Sequence, residues 1–450
     1  MPKGIPYIIG NEAAERFSFY GMKAILVIFM TKYLLDGDGN PDYMSDEQAK
    51  VWYHNFVSAA YFFPIIGALL SDIFWGKYKT IITLSVVYCA GHLALFLMDV
   101  PGINEILSPK IWLALGLGLI AIGTGGIKPC VSAHVGDQFS EGNKTLIERV
   151  FGWFYFSINF GAALSMALTP WLLEHVGPAV AFGIPGALMF VATWVFWLGR
   201  TKFTAVPPAG LETFKKDLLS PKGLKAMGGL GVIYCFIAMF WALFDQTGSS
   251  WILQADKMDR MVNLGIWSGE LLPSQIQALN PILIMSFIPL FSYVIYPFVG
   301  KFCKVTPLRK IGAGLFIAGI SFAICAIAEQ WIQDGKSVSI LWQGLAYVII
   351  TGAEVLVSIT ALEFSYTQAP NALKSFIMGL FLLSVSLGNV FVSVVNSVIQ
   401  NDDGTVALAG ASYFWFFVGV VVVTGVIYIF AAMAYKEEMY LQDHGGKLDT

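Results

Sequence analysis

Apolar stretches of about 20 residues recur twelve times along this chain, each closed by charges, Pro or Gly. Hydrocarbon leaves no water to satisfy backbone N–H and C=O groups, so a run of that length folds as a helix that pairs them internally. The runs lie near 9–33, 51–74, 80–99, 111–134, 148–173 and 178–200, then near 224–251, 280–300, 309–330, 340–367, 375–399 and 411–435. Only 13% of the residues are charged, about half the share usual in a soluble domain, where it is about 25%. The chain is therefore expected to be an all-α polytopic membrane protein. The first run is too long for the apolar core of a secretory leader and carries the wrong charges, so it reads as a span. Cys89, Cys130, Cys235, Cys303 and Cys325 are scattered without disulfide or metal spacing. A net charge of −3 and the lack of a basic tract give no reason to expect nucleic acid.

The stretch 201–223, "TKFTAVPPAGLETFKKDLLSPKG", is the longest polar, Pro-containing link, and it divides the runs into six plus six. Three units are expected: a bundle over 1–200, a cytoplasmic linker over 201–223 and a second bundle over 224–450. With the N-terminus inside, 18 of the 27 Lys and Arg fall in cytoplasmic segments and 6 in outer loops. That asymmetry puts both termini in the cytoplasm. The links "GALLSDIFWGKYK" (67–79) and "YPFVGKFCK" (296–304) each place Gly-Lys at the inner end of the second helix of a half. The first resembles the loop motif of the major facilitator superfamily, whose two six-helix halves rock about a central site. Gly76 is expected to make its turn.

Ionisable groups within spans cost roughly 2.5–3.5 kcal/mol on insertion scales, so each should face a cavity or a partner. They are Glu12, Glu15, Arg16 and Lys23 in the first run, His54 in the second, Lys128 in the fourth, Asp245 in the seventh, and Glu354 and Glu363 in the tenth. At about 100° per residue, Glu12, Glu15, Arg16, Tyr20 and Lys23 share an arc of about 140°. Ala14, Phe17, Ile25 and Ile28 lie opposite, suited to lipid or to a neighbouring helix. The polar stripe should point into the bundle. Glu12 and Arg16 are an i,i+4 pair with the acid first, while Lys23 stands about 16 Å further along the axis. Depth then separates two groups. Glu12, Glu15 and Arg16 match Lys128 in an inner network; Lys23, Asp245 and His54 match one another in an outer cluster joining the halves. In a regular tenth helix Glu354 and Ser358 share a face and Glu363 points away, so Glu354 is expected at the central cavity. The glycines of "GLGLIAIGTGGIKP" (116–129) lack a phosphate-loop ending and suggest close helix packing or a bend before Pro129. Nothing resembles a nucleophile–base set or a metal cluster, so an enzyme is not expected.

Five motifs in order carry a resemblance. "ExxERFSFYG" at Glu12–Gly21 resembles the ExxER signature of the proton-dependent oligopeptide transporters, a family within the major facilitator superfamily. "GTGGIKPCVSAHVGDQF" (123–139), "FYFSINFGA" (154–162), "FWALFDQTGSSW" (240–251) and "EVLVSITALEFSYTQAP" (354–370) look like further signature segments, close to the animal peptide transporters. The resemblance implies a proton-coupled symporter importing di- and tripeptides by alternating access, with no cofactor beyond the proton gradient. It assigns proton coupling to Glu12, Glu15, Arg16, Lys128, His54 and Asp245. Peptide would meet Arg16, Tyr20, Lys23, Tyr61, Lys128 and Asn159 near its carboxylate and backbone, and Glu354 with Ser358 near its ammonium. Trp241 would wall a side-chain pocket, and Lys23 with Asp245 would form a gating salt bridge. Peptide, protons and the bilayer are the implied partners, and a monomer in the plasma membrane (the inner membrane of a bacterium) is the implied setting. Three features depart from the family pattern: Phe19-Tyr20 replaces tandem tyrosines, Lys23 stands where arginine is common, and 201–223 is too short for the helix pair many bacterial members carry. A proton-coupled carrier of nitrate or a glycoside, a channel, and a peptide sensor that does not transport stay open as alternatives.

Overall fold

The computed structural model describes residues 1–435 apart from 104–105, 140–145, 205, 209, 264, 266–267, 370–372 and 402–404. Lys144, Lys436 and Lys447 of the charge count lie outside the described residues. Twelve long helices follow one another: α1 Ile5–Lys32, α2 Asp46–Trp75, α3 Lys77–Leu97, α4 Pro109–Asp137, α5 Ile147–His175, α6 Pro178–Thr201, α7 Pro221–Asp256, α8 Gln275–Val299, α9 Pro307–Gln333, α10 Leu341–Gln368, α11 Lys374–Ile399 and α12 Ala411–Ala434. Eleven are long and apolar enough to cross a bilayer; α1 is as long but carries the four charges already named. A short helix, Leu211–Leu218, lies in the link between α6 and α7, and two three-residue antiparallel strands, Met261–Asn263 and Ser268–Glu270, lie between α7 and α8. The end of the bundle where α1 starts and α12 stops is called the near end, and the opposite one the far end.

Two apolar cores organise these helices. One draws on α1–α6, with Ile252 and Leu253 reaching in from α7; the other draws on α7 and α9–α12. Between them run two seams, α2 against α11 and α5 against α8. The first helix sits inside the bundle. Phe17, Ile25 and Ile28, opposite its polar stripe, are all buried, because α5 and α6 cover that side and lipid does not.

The glycine-rich stretch of α4 is a packing surface. A Cβ on Gly125 would stand 2.6 Å from Phe63 Cβ of α2, and one on Gly123 the same distance from Tyr88 Cβ of α3. Such approach lets three backbones meet without bulky spacers, the usual route to tight packing where lipid supplies no hydrophobic driving force. Three helices contain π turns: Leu70–Trp75 ends α2, Phe291–Ile295 lies late in α8, and Val355–Ile359 interrupts α10. The first two precede the paired Gly-Lys links, so the weak sequence repeat has a counterpart in backbone geometry. Gly76 makes the α2–α3 turn with φ +74°, and Lys77 beside it bonds Asp137 at the end of α4 at 2.7 Å.

Candidate functional site

Between the two cores lies a cavity of about 170 Å³, room for about half a dozen waters at roughly 30 Å³ each. Tyr20, Lys23, Tyr61 and Asn159 line it from α1, α2 and α5; Trp241, Asp245 and Glu354 line it from α7 and α10. Six of the nine residues expected to meet peptide therefore reach it. Arg16, Lys128 and Ser358 do not line it.

Ser358 sits inside a π turn, so the expectation of a regular α10 fails from Val355 onward, and its side chain does not line the cavity. Glu354, just before the turn, keeps its place on the cavity. Its Oε2 accepts a 2.7 Å hydrogen bond from Asn280 Nδ2 of α8, which also donates to Thr351 Oγ1 at 3.1 Å. Glu363 is exposed.

Below the cavity, toward the near end, Arg16 Nε bonds Glu12 Oε1 at 2.7 Å and stands 3.4 Å from Glu15 Oε2. Glu15 Oε1 accepts from Thr124 Oγ1 of α4 at 3.0 Å. Thr124 is one turn before Lys128, so α4 turns the same face to the acids as the depth argument required. Lys128 makes no ion pair with them, however. Its buried Nζ lies 3.9 Å from the ring centres of both Phe19 and Tyr61, without a hydrogen-bond partner among the described residues. Two acids thus share one guanidinium, and a second cation waits between aromatic faces nearby.

Toward the far end the outer cluster is assembled. Lys23 Nζ bonds Asp245 Oδ1 at 2.7 Å, and both are buried. Asp245 Oδ2 accepts from Asn389 Nδ2 at 2.8 Å, and Asn389 Oδ1 faces His54 Nδ1 at 2.7 Å. His54 is thus joined to Asp245 through an asparagine rather than directly. Because Nδ2 of Asn389 also donates to the Val385 carbonyl, its Oδ1 is left as acceptor and His54 Nδ1 must donate. His54 Nε2 then meets Ser249 Oγ at 2.8 Å, a hydroxyl that donates to a neutral ring and accepts from a protonated one.

Sequence reasoning missed Asn389, and the signal was there. Ser386, Asn389, Ser393 and Asn396 recur at helical spacing in α11. The first three meet Ser58, His54 and Asn55 of α2. The hydrogen bonds that tie 1–200 to 224–450 gather between mid-depth and the far end, with Lys32–Asp256 at 2.6 Å, Gln277–Ala24 and Gln275–Ala167 beside those named. The far end is shut.

The sequence profile of the POT family (PTR2) matches residues 78–218 and 212–416. The chain belongs to the POT family. Human solute carrier family 15 member 2 is 38% identical over 376 residues, 74% of this chain and 50% of that protein. Peptide transporter family 1 of Drosophila melanogaster is 37% identical over 373 residues, 74% of this chain and 48% of that protein. The chain spans about half the length of the curated relatives it matches. A crystal structure of an auto-inhibited POT family peptide transporter superposes with a TM-score of 0.87 at 32% identity, covering 98% of this chain and 99% of that one. The POT family transporter PepTSo gives 0.83 at 35% identity, covering 97% and 98%. The twelve-helix major facilitator arrangement expected from the sequence is thus the fold of this POT-family chain. The family is one of membrane transporters rather than enzymes.

Proposed function

We propose that the chain is a proton-coupled symporter that imports di- and tripeptides by alternating access between two bundles, 1–200 and 224–450, joined by the linker 201–223. One observation carries this reading: Glu354 lines the cavity from one bundle, and the other bundle holds the ammonium of Lys128, unpaired among the described residues, against Tyr61, itself a lining residue. A zwitterionic peptide offers the complementary pair, and binding it draws the bundles together. Its ammonium meets Glu354, with Ser358 further along α10. Its carboxylate is drawn toward Arg16 and Lys128 below the cavity, where Arg suits a bidentate carboxylate and Lys a point charge. Tyr20, Tyr61 and Asn159 hold backbone, and Trp241 walls a side-chain space.

Coupling follows from the charge count. Glu12 and Glu15 hold Arg16 between them. A proton on either acid releases part of that hold, so Arg16 and Lys128 can turn to a peptide carboxylate. At the far end His54 and Asp245 belong to the same cycle. Protonating His54 at Nε2 turns the Ser249 hydroxyl from donor to acceptor, and it places a second positive charge beside the Lys23–Asp245 pair. That competition is how a proton loosens a shut gate. The orientation supported by Lys and Arg distribution makes the far end the outside and puts both termini in the cytoplasm. The protein then works as a monomer in the plasma membrane, or in the inner membrane of a bacterium, and needs only the proton gradient.

The test is uptake into proteoliposomes. L-alanyl-L-alanine should accumulate above the bath concentration under an imposed inward proton gradient and should only equilibrate without one. Nitrate accumulating in its place, or peptide binding without accumulation, overturns the proposal.

A further inference from the structure

A second polar pocket lies at the far end, apart from the central cavity and of similar size, about 200 Å³. Asp46, Glu47 and Lys50 of α2 form one wall; Gln254 and Lys257 of α7, Glu329 of α9 and Tyr413 of α12 form the other. Two of its charges are deeply buried, Lys50 at 8% exposure and Glu329 at 4%. Glu329 Oε2 is held by Gln254 Nε2 at 2.8 Å, but the two ammonium groups are loosely held. Lys50 Nζ stands 3.6 Å from Glu47 Oε1, and Lys257 Nζ stands 3.7 Å from Glu329 Oε1. Both distances exceed a direct hydrogen bond. Lys50 otherwise rests on the Tyr413 ring, 4.5 Å from its centre. Three carboxylates, Asp46, Glu47 and Glu329, and two ammonium groups, Lys50 and Lys257, thus face one small space, so a solute carboxylate can bond the two loosely held lysines. An ammonium on the same solute would then meet Asp46 and Glu47.

We infer that this pocket is a second binding site for a small zwitterion, present only while the far end is shut. Its two walls belong to different bundles, so opening the far end pulls Lys50 and Glu47 away from Lys257 and Glu329. A ligand bound there favours the shut state by its differential affinity for the two arrangements. With the far end outside, a high external concentration of zwitterion slows entry. The inference rests on the proposed transport function for this consequence, and on the pocket's chemistry alone for binding.

The experiment uses the full chain in nanodiscs with radiolabelled L-alanyl-L-alanine. Wild type should show two classes of site. Lys257→Gln, whose side chain is half exposed and so safe for folding, should weaken one class at least tenfold and leave the other. Lys50→Met should do the same, and Glu354→Gln should weaken only the class that Lys257→Gln spares. In proteoliposomes, uptake should fall at high external peptide in wild type and saturate normally in Lys257→Gln. A single class, lost in Glu354→Gln and intact in Lys257→Gln, overturns the inference and leaves the transport reading standing. Two classes that are both untouched by Lys257→Gln and Lys50→Met also overturn it. A class lost in Lys257→Gln, in a protein that accumulates no peptide, overturns the transport reading and keeps the site. Absence of any binding overturns both.

Discussion

Asp245→Asn tests the far-end closure most directly. In the shut state Lys23 and Asp245 are buried at 7% and 3% exposure, and their contact joins α1 to α7 across 222 residues of sequence. Removing one partner of a buried pair typically costs 3–5 kcal/mol, because the other charge stays buried without compensation. Asparagine keeps one oxygen to accept from Lys23 but sets its own NH2 against Asn389 Nδ2, a donor facing a donor, so the loss is at least the low end, about 3 kcal/mol. The cost falls on the shut state alone, since Lys23 meets water once the far end opens. At about 1.4 kcal/mol per tenfold change, the shut-to-open ratio falls roughly 100-fold. Spin labels at Val176 and Leu341, exposed far-end positions on the two bundles, report the population by dipolar distance measurement, after exposed Cys235 and Cys303 are replaced by serine. Asp245→Asn should move most of the distribution to longer separations, and Lys23→Gln should act in the same direction. The double variant removes both charges and should recover most of the short-distance population, with a coupling of about 2 kcal/mol, within the range for contacting residues. If the two single effects simply add, or if neither variant alters the distances, the pair does not hold the far end shut.

Three further outcomes follow from the same structure. Glu354→Gln removes a charge-assisted contact worth about 1.5–3 kcal/mol, so competition binding should show di-alanine weakened roughly 10- to 100-fold and an analogue lacking the amino group almost unchanged; equal loss of both would remove the ammonium role. Lys128→Ala and Glu15→Gln should each abolish gradient-driven accumulation of di-alanine in proteoliposomes, and normal accumulation by either would break the inner network. Gly125→Ala forces a Cβ into contact with Phe63 and should destabilise by about 1–3 kcal/mol, read as a lower melting temperature in scanning fluorimetry, whereas Gly118→Ala meets nothing within 4 Å and should leave it level or slightly higher.

Much of the site was legible because charge in a span is expensive. Glu12, Glu15, Arg16 and Lys23 had to share one side of α1, and depth alone matched Lys23 with Asp245. The same reasoning brought Lys128 close to the acids. It could not foresee that Phe19 and Tyr61 would hold that ammonium away from a carboxylate, since the choice between ring face and anion turns on ångströms. His54 was placed in a cluster with Lys23 and Asp245, without the residue that links it to them. Asn389, the residue that joins it to Asp245, is neutral and raises no alarm in a hydropathy reading. The second pocket escaped because Lys50 and Lys257 read as ordinary loop-end lysines until α2 and α7 were brought together.

What the sequence determined by itself was the number of long helices, roughly where each lies and the facing of α1. A bilayer demands about 20 apolar residues per helix and tolerates charge only on an inward side, and both demands are local. The tertiary structure alone decided partners and state. That α10 passes through a π turn at Val355–Ile359, the segment that holds Ser358, leaves no mark in periodicity. Whether Lys23 touches Asp245 depends on which end of the two seams is shut. Those outcomes rest on helix rotations set by packing between segments hundreds of residues apart, and no single window of sequence contains both sides of that contact.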